Sequence, residues 1–248
     1  MSAPASAEGP GAPRLFARIV HEGARMRRTI RKGWISLGAC LFAVTIVTLL
    51  VGLQVHVHSA GPIEGWVVDR QTGLPIEGAV VTASWQSEIQ LPNGRVPKGQ
   101  IAIREAVTDR NGRFYLKSWG PILSAGKGIG KGAPQLLLFK SGYEYERLND
   151  VADLRQVNMK RFTGNLETYA AHLTGLSSAL EAPTGFTEGN CDWQELPLML
   201  RALDEQDTAF RVERLGPLTL TASIRIAERY YLEKGCESVN ALLLRKMK

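Results

Sequence analysis

The sequence is poor in the residues that carry most enzyme chemistry. It has four histidines, and only His172 lies beyond residue 60. No HExxH or HxxE pattern occurs, which excludes the usual histidine arrangements of zinc peptidases. No GxSxG pattern occurs either, so the sequence lacks the nucleophile turn of serine hydrolases. These absences predict no catalytic residues, no metal site and no cofactor.

A complete nucleotide-binding motif is also missing. Gly126–Gly132 has the sequence GKGIGKG. The phosphate-binding loop requires a glycine, four residues and then Gly-Lys followed by Ser or Thr. Ala125 stands at the first of these positions and Gly132 at the last, which leaves no hydroxyl for magnesium. We therefore interpret this segment as a flexible basic loop and expect no nucleotide partner.

The chain beyond residue 59 lacks an excess of charge of either sign. The whole protein has a net charge of +6, but the first 59 residues contain seven basic and two acidic residues. The remaining 23 basic and 22 acidic residues nearly balance. A nucleic-acid-binding surface requires a clustered basic face on the folded domain. We therefore expect no nucleic-acid partner.

Charged residues are absent from Ile35–Leu53, a run of nineteen residues. As a helix it would extend about 28 Å, close to the hydrocarbon thickness of a bilayer. Five cations lie within 25–32, whereas 54–62 contains no Lys or Arg, so the positive-inside rule keeps the N-terminus in the cytoplasm. The sequence therefore predicts an uncleaved single-pass anchor over 34–54, with the lipid bilayer as a partner. The expected localisation is the inner (cytoplasmic) membrane, with the C-terminal part exported to the periplasm.

A cleaved signal peptide is the main alternative to this anchor, and a lipoprotein signal is rejected. A cleaved signal peptide would have a shorter apolar core, and cleavage after Ala60 would place His58 where a small residue is preferred. A lipoprotein signal would use Cys40 in the sequence LGAC, but the apolar core follows this cysteine instead of preceding it. Residues 1–33 are interpreted as a disordered, basic cytoplasmic arm, and translation from either Met1 or Met26 would leave the anchor complete.

Short strands separated by turn residues follow the anchor. Gly-containing turns are expected at 70–73, 74–78, 109–112 and 141–143. A polar loop at the end of a long hairpin is expected over 90–100, and a Gly-rich loop over 120–132. This spacing is typical of a β-sandwich. The expected strands are Ile63–Asp69, Ala79–Trp85, Ile101–Thr108, Arg113–Ser118, Gln135–Lys140 and Arg155–Lys160.

The order of motifs in 62–160 resembles the carboxypeptidase regulatory-like family. The resemblance implies a prealbumin-like sandwich of about seven strands that acts as an accessory or structural module. Enzymes that use the same sandwich require histidines, and none lies in 62–160. The motifs that carry the resemblance are Ile63-x-Gly65-x-Val67-x-Asp69, Thr72-Gly73-x-Pro75-Ile76-x-Gly78-Ala79-x-Val81, Thr108-Asp109-x-x-Gly112-x-Phe114-x-Leu116 and Lys140-Ser141-Gly142-Tyr143.

The apolar period changes to that of helices in 164–248. The spacing predicts helices over 165–181, 195–208 and 218–234, with Gly235 ending the third and a further turn or two over 237–246. We recognise no family in this α-helical C-terminal region. Cys191 and Cys236 flank two of the expected helices. An even cysteine count in an exported region predicts a disulfide between them, although two free thiols are the alternative.

These observations favour a non-enzymatic, membrane-anchored interaction or scaffold module that binds a protein or a glycan of the cell envelope. One alternative is an envelope hydrolase or modifying enzyme with a site at the junction of sandwich and helices, involving His172. Another is a sensor that signals through the cytoplasmic arm. Asp204, Glu205 and Asp207 are assigned to a solvated helix face. Trp66, Trp85 and Trp119 are assigned to the core, with a sugar-stacking surface as the alternative.

Overall fold

The computed structural model describes residues 55–125, 133–149, 152–184, 186, 189–215 and 219–245. The predicted cytoplasmic arm, the predicted anchor Ile35–Leu53 with Cys40, and the basic loop 126–132 lie outside these residues. Within them, no helix combines the length and the apolar character needed to cross a membrane. Residues 55–245 belong to one compact unit of the chain.

The N-terminal part of this unit is mostly β-structure. One antiparallel sheet has four strands in the order β4 (Gly94–Val107), β3 (Val80–Leu91), β7 (Gln135–Phe139) and β8 (Glu146–Leu148). A second sheet has three strands in the order β5 (Arg113–Leu116), β2 (Ile63–Asp69) and β9 (Val157–Met159). Strands β1 and β6 form a separate antiparallel pair. The described strands are β1 (Val55–Ala60), β2 (Ile63–Asp69), β3 (Val80–Leu91), β4 (Gly94–Val107), β5 (Arg113–Leu116), β6 (Trp119–Ala125), β7 (Gln135–Phe139), β8 (Glu146–Leu148) and β9 (Val157–Met159).

Strand β7 lies between the two hydrophobic cores and contributes side chains to both. Leu136 and Leu138 belong to a core of sheet residues that includes Phe114 of β5. Leu137 and Phe139 point to the other side and belong to a second core, which contains the buried helix residues. Because both faces of this strand are buried, its sequence is continuously apolar instead of alternating.

The turn between β4 and β5 packs closely against β2. The Asp109 carboxylate accepts the backbone N–H groups of Asn111 at 2.8 Å and Arg113 at 2.9 Å. Gly112 has φ +70°, and a Cβ atom there would lie 2.3 Å from the carbonyl oxygen of Val67. Glycine is therefore required both for the backbone conformation and for the close approach of β2.

A hairpin end lies within the segment 90–100 as predicted, but most of the expected polar loop is paired strand. The chain turns within Leu91–Gly94, and β3 and β4 remain paired as far as Leu91 opposite Gly94. The ladder shifts register between Trp85 and Gln86 and again between Ser87 and Glu88. β4 lies at the edge of its sheet, where proline and glycine are tolerated. This position explains how residues typical of a loop occur within a strand.

Three further strands were not predicted from the sequence. β1 and β6 pair with each other, so the first part of the expected 120–132 loop is a strand. β8 has three residues and pairs only with β7 in the described structure. In contrast, β9 was predicted, since it lies within the expected strand Arg155–Lys160. It pairs in parallel with β2.

The C-terminal part of the unit is helical. A short 3-10 helix, Asp192–Glu195, precedes α2 (Pro197–Val212). The predicted helix over 218–234 is divided at Ala227 into α3 (Leu220–Ile226) and α4 (Glu228–Glu233). At this division the Glu228 carboxylate accepts the Ser238 hydroxyl at 2.6 Å and the Val239 N–H at 3.2 Å. This tertiary contact holds the start of α4 against α5, and helical periodicity cannot reveal it. The described α-helices are α1 (Leu166–Thr184), α2 (Pro197–Val212), α3 (Leu220–Ile226), α4 (Glu228–Glu233) and α5 (Val239–Leu244).

The disulfide between Cys191 and Cys236 is present, which confirms the prediction. The two Cα atoms are 5.4 Å apart. The bond joins the residue before the 3-10 helix to the segment after α4. Cys236 is 5% exposed and packs within the helical core, so the crosslink is structural.

Candidate functional site

A buried carboxylate joins three segments at one corner of the β-structure. Asp69 ends β2, and its side chain is 3% exposed. Its Oδ1 accepts the backbone N–H groups of Gln71 at 2.9 Å and Thr72 at 3.1 Å. Its Oδ2 accepts the Tyr143 hydroxyl at 3.0 Å and the Arg161 Nε–H at 2.6 Å. Asp69, Tyr143 and Arg161 form what we call the corner latch.

The ionisation of Asp69 follows from these contacts. Burial alone would raise the pKa of this carboxyl. The hydrogen bonds from Gln71, Arg161, Thr72 and Tyr143 act in the opposite direction and hold the pKa well below its usual range. The latch therefore contains a carboxylate that stays charged at neutral pH and holds segments that are distant in the sequence.

Backbone hydrogen bonds reinforce the corner latch. The Glu144 N–H donates to the Lys160 carbonyl at 2.8 Å, and the Phe162 N–H donates to the Gly142 carbonyl at 2.9 Å. The Lys160 ammonium also lies 2.7 Å from the Glu144 carboxylate. At this corner the segment after β7 and the segment after β9 therefore run side by side as an antiparallel pair.

Beyond the corner the two segments separate and leave a groove. β8 ends the four-stranded sheet and β9 ends the three-stranded sheet, and no backbone pairing joins them among the described residues. The space between them has a volume of about 360 Å³. We call it the sheet-edge groove. Its lining residues are Arg70, Glu146, Leu148, Gln156, Val157 and Asn158.

The groove presents a mixed polar surface. Burial raises the pKa of Glu146, the nearby Glu144 carboxylate raises it further, and Arg70 lowers it. The Gln156 side-chain amide donates to Asn158 Oδ1 at 3.1 Å. Leu148 and Val157 supply the apolar part of the lining. This arrangement suits a ligand that both donates and accepts hydrogen bonds. Among the described lining residues, no nucleophile lies beside a base.

His172 lies outside the groove and has a structural environment. Its Nε2 accepts the Tyr145 backbone N–H at 3.1 Å. Its ring packs against Tyr145 and Phe162, with centroid distances of 4.7 and 5.4 Å. Burial lowers the pKa of His172, and Glu144 opposes this shift. Since Nε2 already accepts a hydrogen bond, that nitrogen cannot act as a base in this arrangement.

The tryptophans predicted in the core differ from one another. Trp85 and Trp119 are buried and pack edge to face, with ring centroids 5.3 Å apart. Trp66 is 39% exposed on β2, so its assignment to the core is wrong. None of the three lines the sheet-edge groove.

One of the acidic residues assigned to a solvated face is buried. Glu205 is exposed and Asp204 forms an ion pair with Arg225. Asp207 is 4% exposed and its Oδ2 accepts the Thr219 hydroxyl at 2.6 Å, so its assignment is wrong. Thr219 precedes α3 and accepts the Ala222 N–H. Asp207 is buried because it supports this helix cap, a long-range contact that the helical period does not encode.

Sequence reasoning did not find the sheet-edge groove. Arg70, Glu146 and Asn158 are far apart in the chain, and the short β8 strand gave no signal of its own. Among the described residues, no group of three or more His, Cys, Asp or Glu side chains could hold a metal ion. No protein-family model matches the sequence, and no curated protein or solved structure is significantly similar to it.

Proposed function

We propose that this protein is a single-pass membrane protein with a cytoplasmic N-terminus and an exported interaction module. The module binds a protein or a glycan of the cell envelope at the sheet-edge groove. Ile35–Leu53 is the anchor in this proposal. The observation that carries the binding proposal is the groove itself, which has a mixed polar and apolar lining and lies between two strand edges that are unpaired within the described part of the chain.

Two features support export. The charge asymmetry around Ile35–Leu53 favours a cytoplasmic N-terminus. The Cys191–Cys236 disulfide is suited to an oxidising compartment such as the periplasm. Disulfides are rare in the reducing cytosol, so this crosslink and the proposed orientation agree with each other.

We also propose that 62–160 forms a prealbumin-like sandwich of the carboxypeptidase regulatory-like type. Support comes from the two larger sheets and from the motif glycines Gly73, Gly78, Gly112 and Gly142, all of which have positive φ. Domains of that family are accessory or structural modules, which agrees with a binding role. The described helices of the C-terminal region pack on the four-stranded sheet.

A reporter fusion tests the orientation. Alkaline phosphatase fused after Lys248 is expected to be active, because that enzyme requires export to form its disulfides. An inactive phosphatase fusion, together with an active cytoplasmic reporter fused at the same position, contradicts the orientation. The mass of the mature protein distinguishes the anchor from a signal peptide, since cleavage after Ala60 would remove the anchor.

Photo-crosslinking in intact cells tests the groove as the binding surface. A photoreactive residue at Asn158 is expected to capture an envelope component. Tyr115 on β5 is the matched control, because it is 50% exposed and lies on the opposite edge strand of the same sheet. Equal capture from both positions, or recovery of no envelope component from Asn158, contradicts the proposal.

A further inference from the structure

We infer that the ligand of the sheet-edge groove is an extended segment of a partner protein, which adds as a strand to the free edge of β9. This inference rests on the proposed function, since it assigns a ligand class to the same groove. It specifies recognition through backbone hydrogen bonds, the mode in which a peptide extends an existing sheet.

The direction of the β9 backbone is the first argument. The Met159 carbonyl accepts the Arg70 N–H at 2.8 Å and therefore points towards β2. Because successive residues of a strand alternate in direction, the N–H and carbonyl of Asn158 point away from β2. Lys160 has the same direction as Asn158, and its carbonyl accepts the Glu144 N–H at 2.8 Å. The backbone of Asn158 therefore faces the groove.

The two walls of the groove supply the second argument. β8 forms the opposite wall and is itself an edge strand of the four-stranded sheet. The walls are held together at one end by the corner latch and diverge from there. An extended segment entering the groove would therefore have a strand edge on each side. An unpaired strand edge is a common route to unwanted association, and natural proteins usually cover it.

The free protein covers this edge only weakly. The Asn158 Nδ2 donates to the Gln156 carbonyl, but the distance is 3.5 Å. The Gln156 amide in turn donates to Asn158 Oδ1 at 3.1 Å. These two exposed side chains can rotate away and release the backbone for a partner strand. They form a polar cover that limits indiscriminate pairing.

The lining also decides between peptide and glycan. A sugar-binding surface commonly includes an aromatic ring for stacking, and none of the described residues that line this groove is aromatic. Glu146 is half-buried, and no hydrogen bond or ion pair of its side chain occurs within the described part of the chain. Glu144, in contrast, is paired with Lys160. We therefore assign a basic side chain of the partner segment to the position beside Glu146.

The test uses the full-length protein in native membranes, with a photoreactive residue at Gln156 as the probe. The expected adduct is a peptide identified by mass spectrometry. Asn158→Pro removes the backbone N–H that faces the groove and leaves the bonds of Val157 and Met159 to β2 intact. It is expected to lower the adduct yield about tenfold. Asn158→Ala is the matched control, because it removes the amide cover but keeps the N–H, and its yield should be equal or higher.

Two measurements keep the test decisive if Asn158→Pro fails to fold. Glu146→Lys places a like charge against the basic side chain of the partner and is also expected to lower the yield about tenfold. A second probe at Asn149, beside β8, is expected to capture the same partner segment as the probe at Gln156. Adducts to unrelated segments from the two walls would contradict a single inserted strand.

The outcomes separate this inference from the proposed function. A glycan adduct, or a protein adduct that persists in a folded Asn158→Pro variant, overturns strand addition and leaves the groove as a binding surface. A protein adduct with full yield in Glu146→Lys overturns the assigned basic side chain. The absence of any adduct from Gln156 in the anchored wild-type protein overturns both.

Discussion

The carboxylate of Glu105 on β4 accepts the backbone N–H of Leu198 at the start of α2, with a distance of 2.8 Å. It also accepts the Met199 N–H at 2.9 Å. The first N–H groups of a helix have no partner within the helix, and α2 has no cap from its own N-cap residue, Leu196. A strand side chain therefore supplies the cap and fastens the helical region to the four-stranded sheet.

Removal of this cap should destabilise the whole unit. Glu105→Ala leaves the N–H groups of Leu198 and Met199 without their acceptor. We expect the free energy of unfolding to fall by about 1–2 kcal/mol, the usual cost of losing a helix cap. Glu77→Ala is the control, because Glu77 is exposed and has only a 4.0 Å contact with Arg110. Urea unfolding at pH 7 measures both, and equal values for the two variants would contradict the capping role.

The same carboxyl should make stability depend on pH. Burial raises the pKa of Glu105 from 4.5 to about 7, while hydrogen bonds from Leu198, Met199 and Thr82 lower it and Glu195 raises it. Since the folded state holds the proton more tightly than the unfolded state, the contribution is complete below pH 4.5 and is lost as the pH rises through 7. Glu105 is only partly covered by other residues, so we expect a loss of about 2 kcal/mol after solvent screening.

The measurement for this prediction is the difference in unfolding free energy between wild type and Glu105→Ala at several pH values. The difference should be larger at pH 5 than at pH 8, because wild type loses this contribution across that interval. A difference that stays constant from pH 5 to pH 8 would exclude Glu105 as the titrating group.

The corner latch predicts the opposite pH behaviour. The pKa of Asp69 is depressed in the folded protein, so its contribution is present above the unfolded value of 3.8 and is lost as the pH falls below it. Asp69→Asn should reduce the acid sensitivity of unfolding and lower the thermal midpoint at pH 7. Asp109→Asn is a matched control, because Asp109 forms a similar turn but has no contact with the latch. The latch would be excluded if both variants lowered the midpoint equally.

The disulfide should make a large contribution to stability. Its cysteines are 45 residues apart, and the chain-entropy model gives about 4 kcal/mol for such a loop. The double variant Cys191→Ser with Cys236→Ser should lose an amount of this order in urea unfolding. Cys40→Ser should show no loss, since Cys40 is not part of the crosslink. Reduction of the wild-type protein should reproduce the effect of the double variant.

Much of the fold could be predicted from local sequence patterns. β2 has the predicted bounds, β7 lies within its expected segment, and α1 buries Tyr169, Leu173 and Leu176 as the helical period indicated. Each of these elements has its burial encoded in neighbouring residues. The disulfide followed from the cysteine count and the expected compartment, so it too could be predicted without a structure.

The remaining features depend on contacts between distant segments. The β1–β6 pair and the three-residue β8 have too little periodicity to be distinguished from loops. Asp207 looks like a surface residue until Thr219 is placed beside it. The sheet-edge groove exists because two strands separate after the corner latch. The residues that line it therefore cannot be predicted by a method that considers one stretch of sequence at a time.

The two-sided burial of β7 has a consequence for how the protein unfolds. Leu137 and Phe139 are covered by the helical region, while Leu136 and Leu138 are covered by the other sheet residues. Loss of the helices would expose one face of a central strand to water, and loss of the sheet would remove the surface on which the helices pack. This unit of the chain should therefore melt in a single cooperative transition, and neither half should persist as an independently folded fragment.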